Sequence, residues 1–270
     1  MVVEVAPIRG PVLRCYGVNV GFRANSTKVL AAIDPTMIPA SCICDRQVPD
    51  ITYSLCADEK RGLYTASIGA ETLFEATDLN ILLTDLKVHI QHAVAEAAME
   101  HVFVHAGVVA CRGRAIVLPG RSFCGKSTLV RELLLHGAVY LSDEFAVLDE
   151  DGLVHPFPRP LSLRIGDARV PCDPIDLGAQ TATGPMPVYA VVFTRFEPEG
   201  EFHPSPITPG RAIMEVLNNV VAVRANPRKS LCTARSATSK SIVLESTRGE
   251  ASQAAALLLQ LAGQANNQII

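Results

Sequence analysis

The feature that most constrains the fold of this chain lies at residues 115–137, where an apolar run, a glycine-bearing loop and an amphipathic stretch follow one another. Residues 115–118 are all apolar, which is typical of a buried strand. Residues 120–127 fit the spacing G-x-x-x-x-G-K-S/T at every fixed position. Residues 127–136 then carry apolar side chains at helical spacing, and Gly137 is a natural helix stop. The segment therefore predicts a strand, a loop and a helix in that order.

A loop of this kind binds anions for a direct physical reason. Consecutive backbone N–H groups and the positive end of the helix dipole surround the anion. Lys126 would reach the β- and γ-phosphate oxygens of a nucleotide, and the Ser127 hydroxyl could ligate Mg²⁺. A loop that packs but no longer binds is the alternative. The predicted nucleotide contacts are Gly120, Arg121, Ser122, Phe123, Cys124, Gly125, Lys126, Ser127 and Thr128.

Two acids follow the next predicted strand, at residues 138–141. Asp143 stands 17 residues past Lys126, and Glu144 follows it. Beside a phosphate-binding loop, one carboxylate could accept a proton from an incoming hydroxyl while the other holds Mg²⁺. The alternative interpretation is an ordinary acidic turn.

The C-terminal part of the chain is predicted to be an α/β domain. The order strand, loop, helix, strand is that of a βαβ unit, which builds such a sheet. Apolar runs predict further strands at 102–104, 108–110, 145–148, 188–193 and 241–244, and helices at 209–221 and 251–261.

The N-terminal part has a different pattern. Residues 1–76 contain short strand-like stretches, such as 11–20, between turn residues. Residues 78–100 place apolar side chains on one helical stripe. We therefore predict two domains: a strand-rich N-terminal domain over 1–99 that ends in an amphipathic helix, and a nucleotide-binding domain over 100–270.

Composition excludes several classes. With 49% hydrophobic and 19% charged residues the chain can bury a core, so it is not intrinsically disordered. A net charge of −3 gives no global basic surplus, so we expect no nucleic-acid partner. No apolar run reaches the roughly 18 residues of a membrane span, and the first residues do not resemble a secretion signal. We expect a cytoplasmic protein with reduced cysteines and no membrane partner.

Several weaker signals concern basic residues. Arg159, Arg164 and Arg195 follow or end predicted strands, and one of them could neutralise charge on a transferred phosphoryl group. The segment 224–240 carries five cations and no acid. It could dock an acidic peptide or help hold a triphosphate, and the alternative is a solvated basic face.

The motifs together resemble one family, the HPr kinase/phosphorylases and the HprK-related serine kinases. The matching parts are His105-Ala106 before a strand, the loop at 120–127, and Asp143-Glu144 after the next strand. The segment 156–164 is similar to the one that follows in the smaller HprK-related proteins, many of which are encoded with peptide-modifying pathways such as lasso peptide clusters.

The resemblance implies an enzyme that uses ATP and Mg²⁺ to phosphorylate a serine of a peptide or small protein, on a phosphoenolpyruvate-carboxykinase-like α/β core. It implies that Asp143 acts as the base, that Glu144 assists the metal beside Ser127 and Asp143, and that His105 lies near the phosphoryl group with Lys126. Residues 1–99 could then dock a leader peptide. The alternatives are a kinase for a small hydroxylated metabolite and a non-catalytic nucleotide-binding module; a homo-oligomer is left open.

The chain departs from the family pattern in three places. Phe123 stands where the family loop has glycine, and Glu144 stands where it has Asp. A counterpart of the family's Glu-x-Arg-Gly-Leu-Gly segment is missing, which puts the reverse phosphorylase reaction in doubt.

Overall fold

The protein is described here from a computed structural model, which covers residues 7–44, 47–120, 125–166 and 168–264. The chain divides into two compact units, one up to Met99 and one from Glu100 onward. Each unit has its own sheet and its own core. The α/β class predicted from the sequence is confirmed.

The N-terminal unit is a six-stranded sheet with one long helix. Its strand order is β3-β1-β2-β4-β5-β6, and only β2 and β4 run parallel. The elements are β1 (Ile8–Cys15), β2 (Val18–Ala24), α1 (Thr27–Ala31), β3 (Cys42–Ile43), β4 (Ile51–Asp58), β5 (Leu63–Ile68), β6 (Glu71–Ala76) and α2 (Leu79–Ala97).

The predicted single stretch at 11–20 was wrong, because the chain turns back within it. Tyr16 and Gly17 both have positive φ, at 46° and 86°, and Cys15 pairs with Val18. Two left-handed residues between paired strands make the tight turn that matches strand twist. The stretch is therefore the hairpin of β1 and β2.

The predicted helix at 78–100 is confirmed, with ends at Leu79 and Ala97. The Asp78 side chain caps it by accepting from the amides of Asn80 and Ile81. Its buried residues follow helical spacing and include Leu82, Leu86, Ile90 and Val94.

The C-terminal unit carries the glycine-bearing loop. Its elements are β7 (Val102–Cys111), β8 (Arg114–Pro119), α3 (Lys126–Leu135), β9 (Val139–Ser142), β10 (Phe145–Leu148), β11 (Leu153–His155), β12 (Leu161–Ile165), β13 (Ala168–Cys172), β14 (Met186–Phe196), β15 (Ser205–Pro206), α4 (Pro209–Leu217), α5 (Pro227–Ser239), β16 (Ile242–Arg248) and α6 (Ala251–Gln264).

The large sheet of this unit is mixed. β14 runs parallel to β8 on one side and to β16 on the other. β7 is antiparallel to β8, to β10 and to β9. β10 pairs with the first part of β7, and β9 pairs with its later part. β8 and β9 are therefore parallel with β7 between them, which is a βαβ crossover that skips one strand.

Helices cover both faces of this sheet. On one face α3 and α6 bury residues that include Leu129, Leu133 and Leu258. On the other face α4 and α5 bury Val216 and Ala234. The sheet is thus the middle of three layers, as in other α/β domains.

Two predicted elements needed correction, and one helix was missed. β7 is one strand, where the sequence predicted two, at 102–104 and 108–110. α4 ends at Leu217, so Val220 and Val221 lie beyond it. α5 was not predicted. None of the described helices is both long and apolar enough to cross a membrane.

Candidate functional site

The loop connects the carboxyl end of β8 to the amino end of α3. β8 ends at Pro119, and α3 begins at Lys126 with Gly125 at its N-cap. The helix ends in a Schellman motif, because the Gly137 and Ala138 amides donate to carbonyls of its last turn. The predicted contacts Arg121, Ser122, Phe123 and Cys124 lie outside the described residues, so their positions are not part of the site geometry below.

Gly125 is required at its position for two reasons. Its φ of +81° lies in the left-handed region that favours glycine. A side chain there would also collide with the guanidinium of Arg248, whose Nη2 donates a 2.6 Å hydrogen bond to the Gly125 carbonyl. Arg248 is 2% exposed and comes from the end of β16. The sequence analysis missed it, since nothing local links residues so far apart.

Lys126 lies across the mouth of the loop. Its Nζ donates a 2.6 Å hydrogen bond to the carbonyl oxygen of Gly120. Its charge also acts on Asp143 and Glu144, where it favours the ionised carboxylates. The structure thus brings the predicted lysine and both predicted acids into one electrostatic group.

The two acids lie in the short break between β9 and β10. The Ser142 hydroxyl accepts from the amides of Glu144 and Phe145, which tightens the turn. The Ala106 amide on β7 donates to the Glu144 carbonyl, and the Gly120 amide donates to the carbonyl of His105. The acids and the start of the loop therefore lie at the same level of the sheet, two strand spacings or about 10 Å apart.

Asp143 is a buried carboxyl with few hydrogen bonds to offset its loss of hydration. It is 6% exposed, and its Oδ2 accepts a 3.4 Å hydrogen bond from the Ser162 amide. Within the described part of the chain, Oδ1 has no hydrogen-bond partner. Burial raises the pKa of Asp143 to about 6, although the hydroxyl of Ser127 and the Ser162 amide oppose the rise.

Gly107 makes room for this carboxyl. A side chain at that position of β7 would meet Val130 of α3 at 2.5 Å and would lie 3.9 Å from Asp143 Oδ1. The missing side chain lets α3 approach β7 closely, and this approach places the first turn of α3 beside Asp143.

The pKa of Glu144 is shifted in the opposite direction. Its Oε1 lies 3.6 Å from His105 Nδ1, and its Oε2 lies 3.7 Å from Arg159 Nη1. Burial alone would raise the pKa of Glu144, but the His105 hydrogen bond and the charge of Arg159 outweigh it, so the pKa is lowered. The surroundings thus shift the pKa values of two adjacent carboxyls in opposite directions.

The segment 156–162 places a partner on each acid. The buried Phe157 fixes the segment by donating its amide to the Leu141 carbonyl of β9. Farther along, Arg159 meets Glu144 and the amide of Ser162 meets Asp143. The segment was singled out for its resemblance alone, and its structural role is to hold the acids.

The other predicted cations lie elsewhere. Arg195 pairs with Glu197 at 2.6 Å on the surface, and Arg164 Nε donates to the Gly166 carbonyl. Much of the basic segment 224–240 is α5, with Lys240 bonded to the Asp151 carbonyl. Of the three arginines considered, Arg159 is the one that the structure brings to the acids.

The site offers oxygen ligands that suit Mg²⁺. Asp143 has a buried oxygen without a hydrogen bond, and the Ser127 hydroxyl lies beside it. The described residues contain no group of three or more His, Cys, Asp or Glu side chains that could hold a metal ion. Mg²⁺ usually binds one or two carboxylates together with substrate phosphates and water.

Two cavities adjoin the loop on the described surface. One of about 790 Å³ opens beside Pro119 and Gly120, over the carboxyl ends of β14 and β16. Its polar lining includes Arg195, His203, Arg211, Asn219 and Glu245. The other, of about 450 Å³, lies against Gly125 and Thr128.

Comparison of the sequence with protein-family models gave no match, and no curated protein matched it. Among solved structures, the Hpr(Ser) kinase/phosphatase of Coxiella burnetii is similar to this chain, with 11% identity and a TM-score of 0.31. The similarity covers 62% of this chain and 97% of the other. A likeness this distant assigns no family.

Proposed function

We propose that this chain is an ATP- and Mg²⁺-dependent kinase that transfers the γ-phosphoryl group to a serine hydroxyl of a peptide or small protein. The observation that carries the proposal is Asp143, a buried carboxyl beside Ser127 whose pKa lies near neutrality. A loop that only bound phosphate would have no need of it. The proposal includes the phosphoenolpyruvate-carboxykinase-like core that the sequence resemblance implies.

In this proposal the loop and its helix bind the triphosphate. The N–H groups of the first turn of α3 would point at the phosphates, and Lys126 would turn from the Gly120 carbonyl to the terminal phosphate oxygens. Ser127 and Glu144 would hold Mg²⁺, which when bound neutralises charge on the phosphate oxygens. Arg159 and His105 keep Glu144 ionised for that role.

Asp143 would accept the proton of the acceptor hydroxyl. The serine oxygen forms a bond to the γ-phosphorus while the bond from that phosphorus to the ADP oxygen breaks. The hydroxyl proton passes to a carboxylate oxygen of Asp143, for which Oδ1 has no competing donor among the described residues. A base with a pKa of about 6 is ionised at neutral pH and still basic enough to take a proton in the transition state.

The 790 Å³ cavity is the proposed entry for the acceptor. It opens beside Gly120, and the backbone carbonyl of its Asn219 accepts a hydrogen bond from the amide of His105, the partner of Glu144. A peptide could place one or two residues in a cavity of this size. A small hydroxylated metabolite would also fit, and this keeps a small-molecule kinase as the second candidate function.

The test is a transfer assay with the purified full chain, ATP labelled at the γ-phosphate and Mg²⁺. Candidate acceptors are serine-containing peptides and, in a second arm, small polyols. Transfer to a peptide serine, located by mass spectrometry, supports the proposal, and transfer only to a polyol supports the second candidate. Nucleotide binding with neither transfer nor hydrolysis would overturn the assignment of catalysis.

A further inference from the structure

The cavity of about 450 Å³ has no role in the chemistry proposed above. It lies at the first turn of α3, beside the carboxyl ends of β14 and β16. Its lining includes Thr128, Glu132, Phe196, Arg248, Glu250 and Ser252. Crevices at the carboxyl ends of parallel strands are where α/β sheets bind ligands, so its position is informative.

The direction of a bound phosphate chain can be deduced from the first turn of α3. Lys126 and Ser127 lie beside Asp143, which marks the side of the terminal phosphate. A nucleotide bound with its terminal phosphate there must extend away from Asp143. Thr128 and Glu132 lie one helical turn apart and line the 450 Å³ cavity. The nucleoside would therefore arrive at this cavity.

Phe196 gives the cavity an unusual wall. It is the last residue of β14, and 53% of this large apolar side chain is exposed. An aromatic ring exposed at the wall of a cavity provides a face on which a base can stack. Exposure of this ring is otherwise unfavourable, and burial under a base would remove it from water.

Arg248 forms the inner wall and fixes the ring. The centre of its guanidinium lies 5.7 Å from the centroid of Phe196, within the range of a cation–π contact. The same guanidinium donates to the carbonyls of Gly125 and Gly249. One buried cation thus links the loop, the ring and the start of α6, and places positive charge where the innermost phosphate would lie.

We propose that this cavity binds the nucleoside of ATP, with the base stacked on Phe196 and Arg248 behind it. The inference rests on the proposed function, because it assumes that the loop binds a nucleotide. The carboxylate of Glu250 at the rim can accept a hydrogen bond from an exocyclic amine of the base. The ligand class is therefore an amine-bearing nucleotide rather than an inorganic polyphosphate.

The first experiment separates the base from the phosphates. Binding of ATP and of inorganic tripolyphosphate, each with Mg²⁺, is measured by calorimetry for the full chain and for Phe196→Ala. We expect the variant to weaken ATP binding by about ten-fold or more and tripolyphosphate binding by less than about two-fold. Leu231→Ala is the control. It truncates a half-exposed apolar side chain on α5 and should change the affinity for neither ligand.

The second experiment keeps a ring at the position. The chain contains no tryptophan, so F196W introduces a unique fluorophore that retains a stacking surface. ATP should quench this fluorescence, and tripolyphosphate at saturating concentration should not. This fluorescence measurement does not depend on whether the alanine variant folds.

Each outcome decides the inference. Phe196→Ala could weaken the binding of ATP and of tripolyphosphate equally, or both ligands could quench the F196W fluorescence equally. Either result would show that the ring acts through the loop and would overturn the nucleoside assignment. If the wild-type chain binds tripolyphosphate as tightly as ATP, the phosphate loop stands and the nucleoside site fails. If it binds neither ligand, the proposed function itself fails and the nucleoside site fails with it.

Discussion

The first turn of helix α3 separates two kinds of surface. On one side, which we call the acid side, burial raises the pKa of Asp143, while the contacts of Glu144 with His105 and Arg159 outweigh burial and lower the pKa of Glu144. On the other, the aromatic side, Phe196 and Arg248 offer a ring and a permanent charge. The loop alone can supply affinity for phosphate, so the difference indicates a division of labour: chemistry on one side and recognition on the other.

This comparison has a measurable form. Changes on the acid side should alter the rate of transfer at nearly constant nucleotide affinity, because in the proposed mechanism those groups act on the acceptor and the terminal phosphate. Changes on the aromatic side should alter affinity for the nucleoside. Lys126 lies between them, and in the proposed mechanism it would serve both sides.

The largest effect is therefore expected at the boundary. Lys126→Ala should abolish ATP binding or turnover, since no other described side chain bonds across the mouth of the loop as Lys126 Nζ does. Calorimetry and the transfer assay measure the two losses, and circular dichroism checks the fold. Lys60→Ala, in an exposed turn of the N-terminal unit, is the matched control. Unchanged turnover in Lys126→Ala would remove the basis of the whole comparison.

The next effect isolates the acid side. Asp143→Asn keeps the size of the side chain but removes the base, so transfer should fall by about 10²–10⁴-fold while ATP affinity stays nearly constant. The wild-type rate should also decline as pH falls through about 6, because Asp143 is then protonated. The matched control is Asp176→Asn, which neutralises an exposed acid of the same unit.

Asp143→Asn could instead lose ATP binding and transfer together. Asp143 would then be a metal ligand, and the base would have to be sought at Glu144 or His105. Retention of both properties would remove Asp143 from the chemistry altogether.

The parts of the fold that the sequence predicted well are those with a local signal. The strand, loop and helix around Gly125 and Lys126 carry their apolar pattern and their turn residues within about twenty positions. The acids follow the next strand directly, so their place beside the loop could be deduced from βαβ geometry.

Helix α5 was missed for a physical reason. Its buried face consists of Ser230, Thr233, Ala234, Ala237 and Thr238, which have helical spacing but little hydrophobicity. A periodicity of apolar residues cannot detect such a face, and the intervening cations suggested a solvated segment instead. The hydroxyl of Thr238 is satisfied within the helix by the Ala234 carbonyl, which makes this burial affordable.

The contacts that distinguish the two sides were also beyond the sequence. Arg248 meets Gly125 from 123 positions away, and its role depends on the register of β16. Arg159 was one of three arginines with equal claims until the Phe157 segment placed it on Glu144. The sequence supplied the types of side chain, but tertiary packing selected among them.

A smaller effect tests the second acid. Glu144→Gln should raise the Mg²⁺ concentration needed for half-maximal transfer by a few-fold, because a neutral amide is a weaker ligand than a carboxylate. The measurement is transfer rate against Mg²⁺ concentration, with exposed Glu59→Gln as the control. Slower transfer at unchanged Mg²⁺ dependence would contradict metal binding and would assign Glu144 to positioning His105 and Arg159.

The last effect is on stability rather than on transfer, and its sign follows from the raised pKa of Asp143. Below about pH 4 the carboxyl is protonated in both the folded and the unfolded chain, so its ionisation does not lower the free energy of unfolding. As pH rises towards about 6, the unfolded chain ionises first, and the folded state loses stability because it must hold a buried charge. The loss is complete above pH 6 and is on the order of 3 kcal/mol for a shift of about two pKa units. Urea unfolding followed by circular dichroism should therefore show Asp143→Asn gaining stability over wild type between pH 4 and 6, with a constant difference above. The difference in free energy of unfolding between the variant and the wild type could instead stay flat or shrink across that interval. This result would mean that the buried charge of Asp143 is already stabilised by its neighbours. The acid side would then lose the raised pKa that sets it apart from the aromatic side.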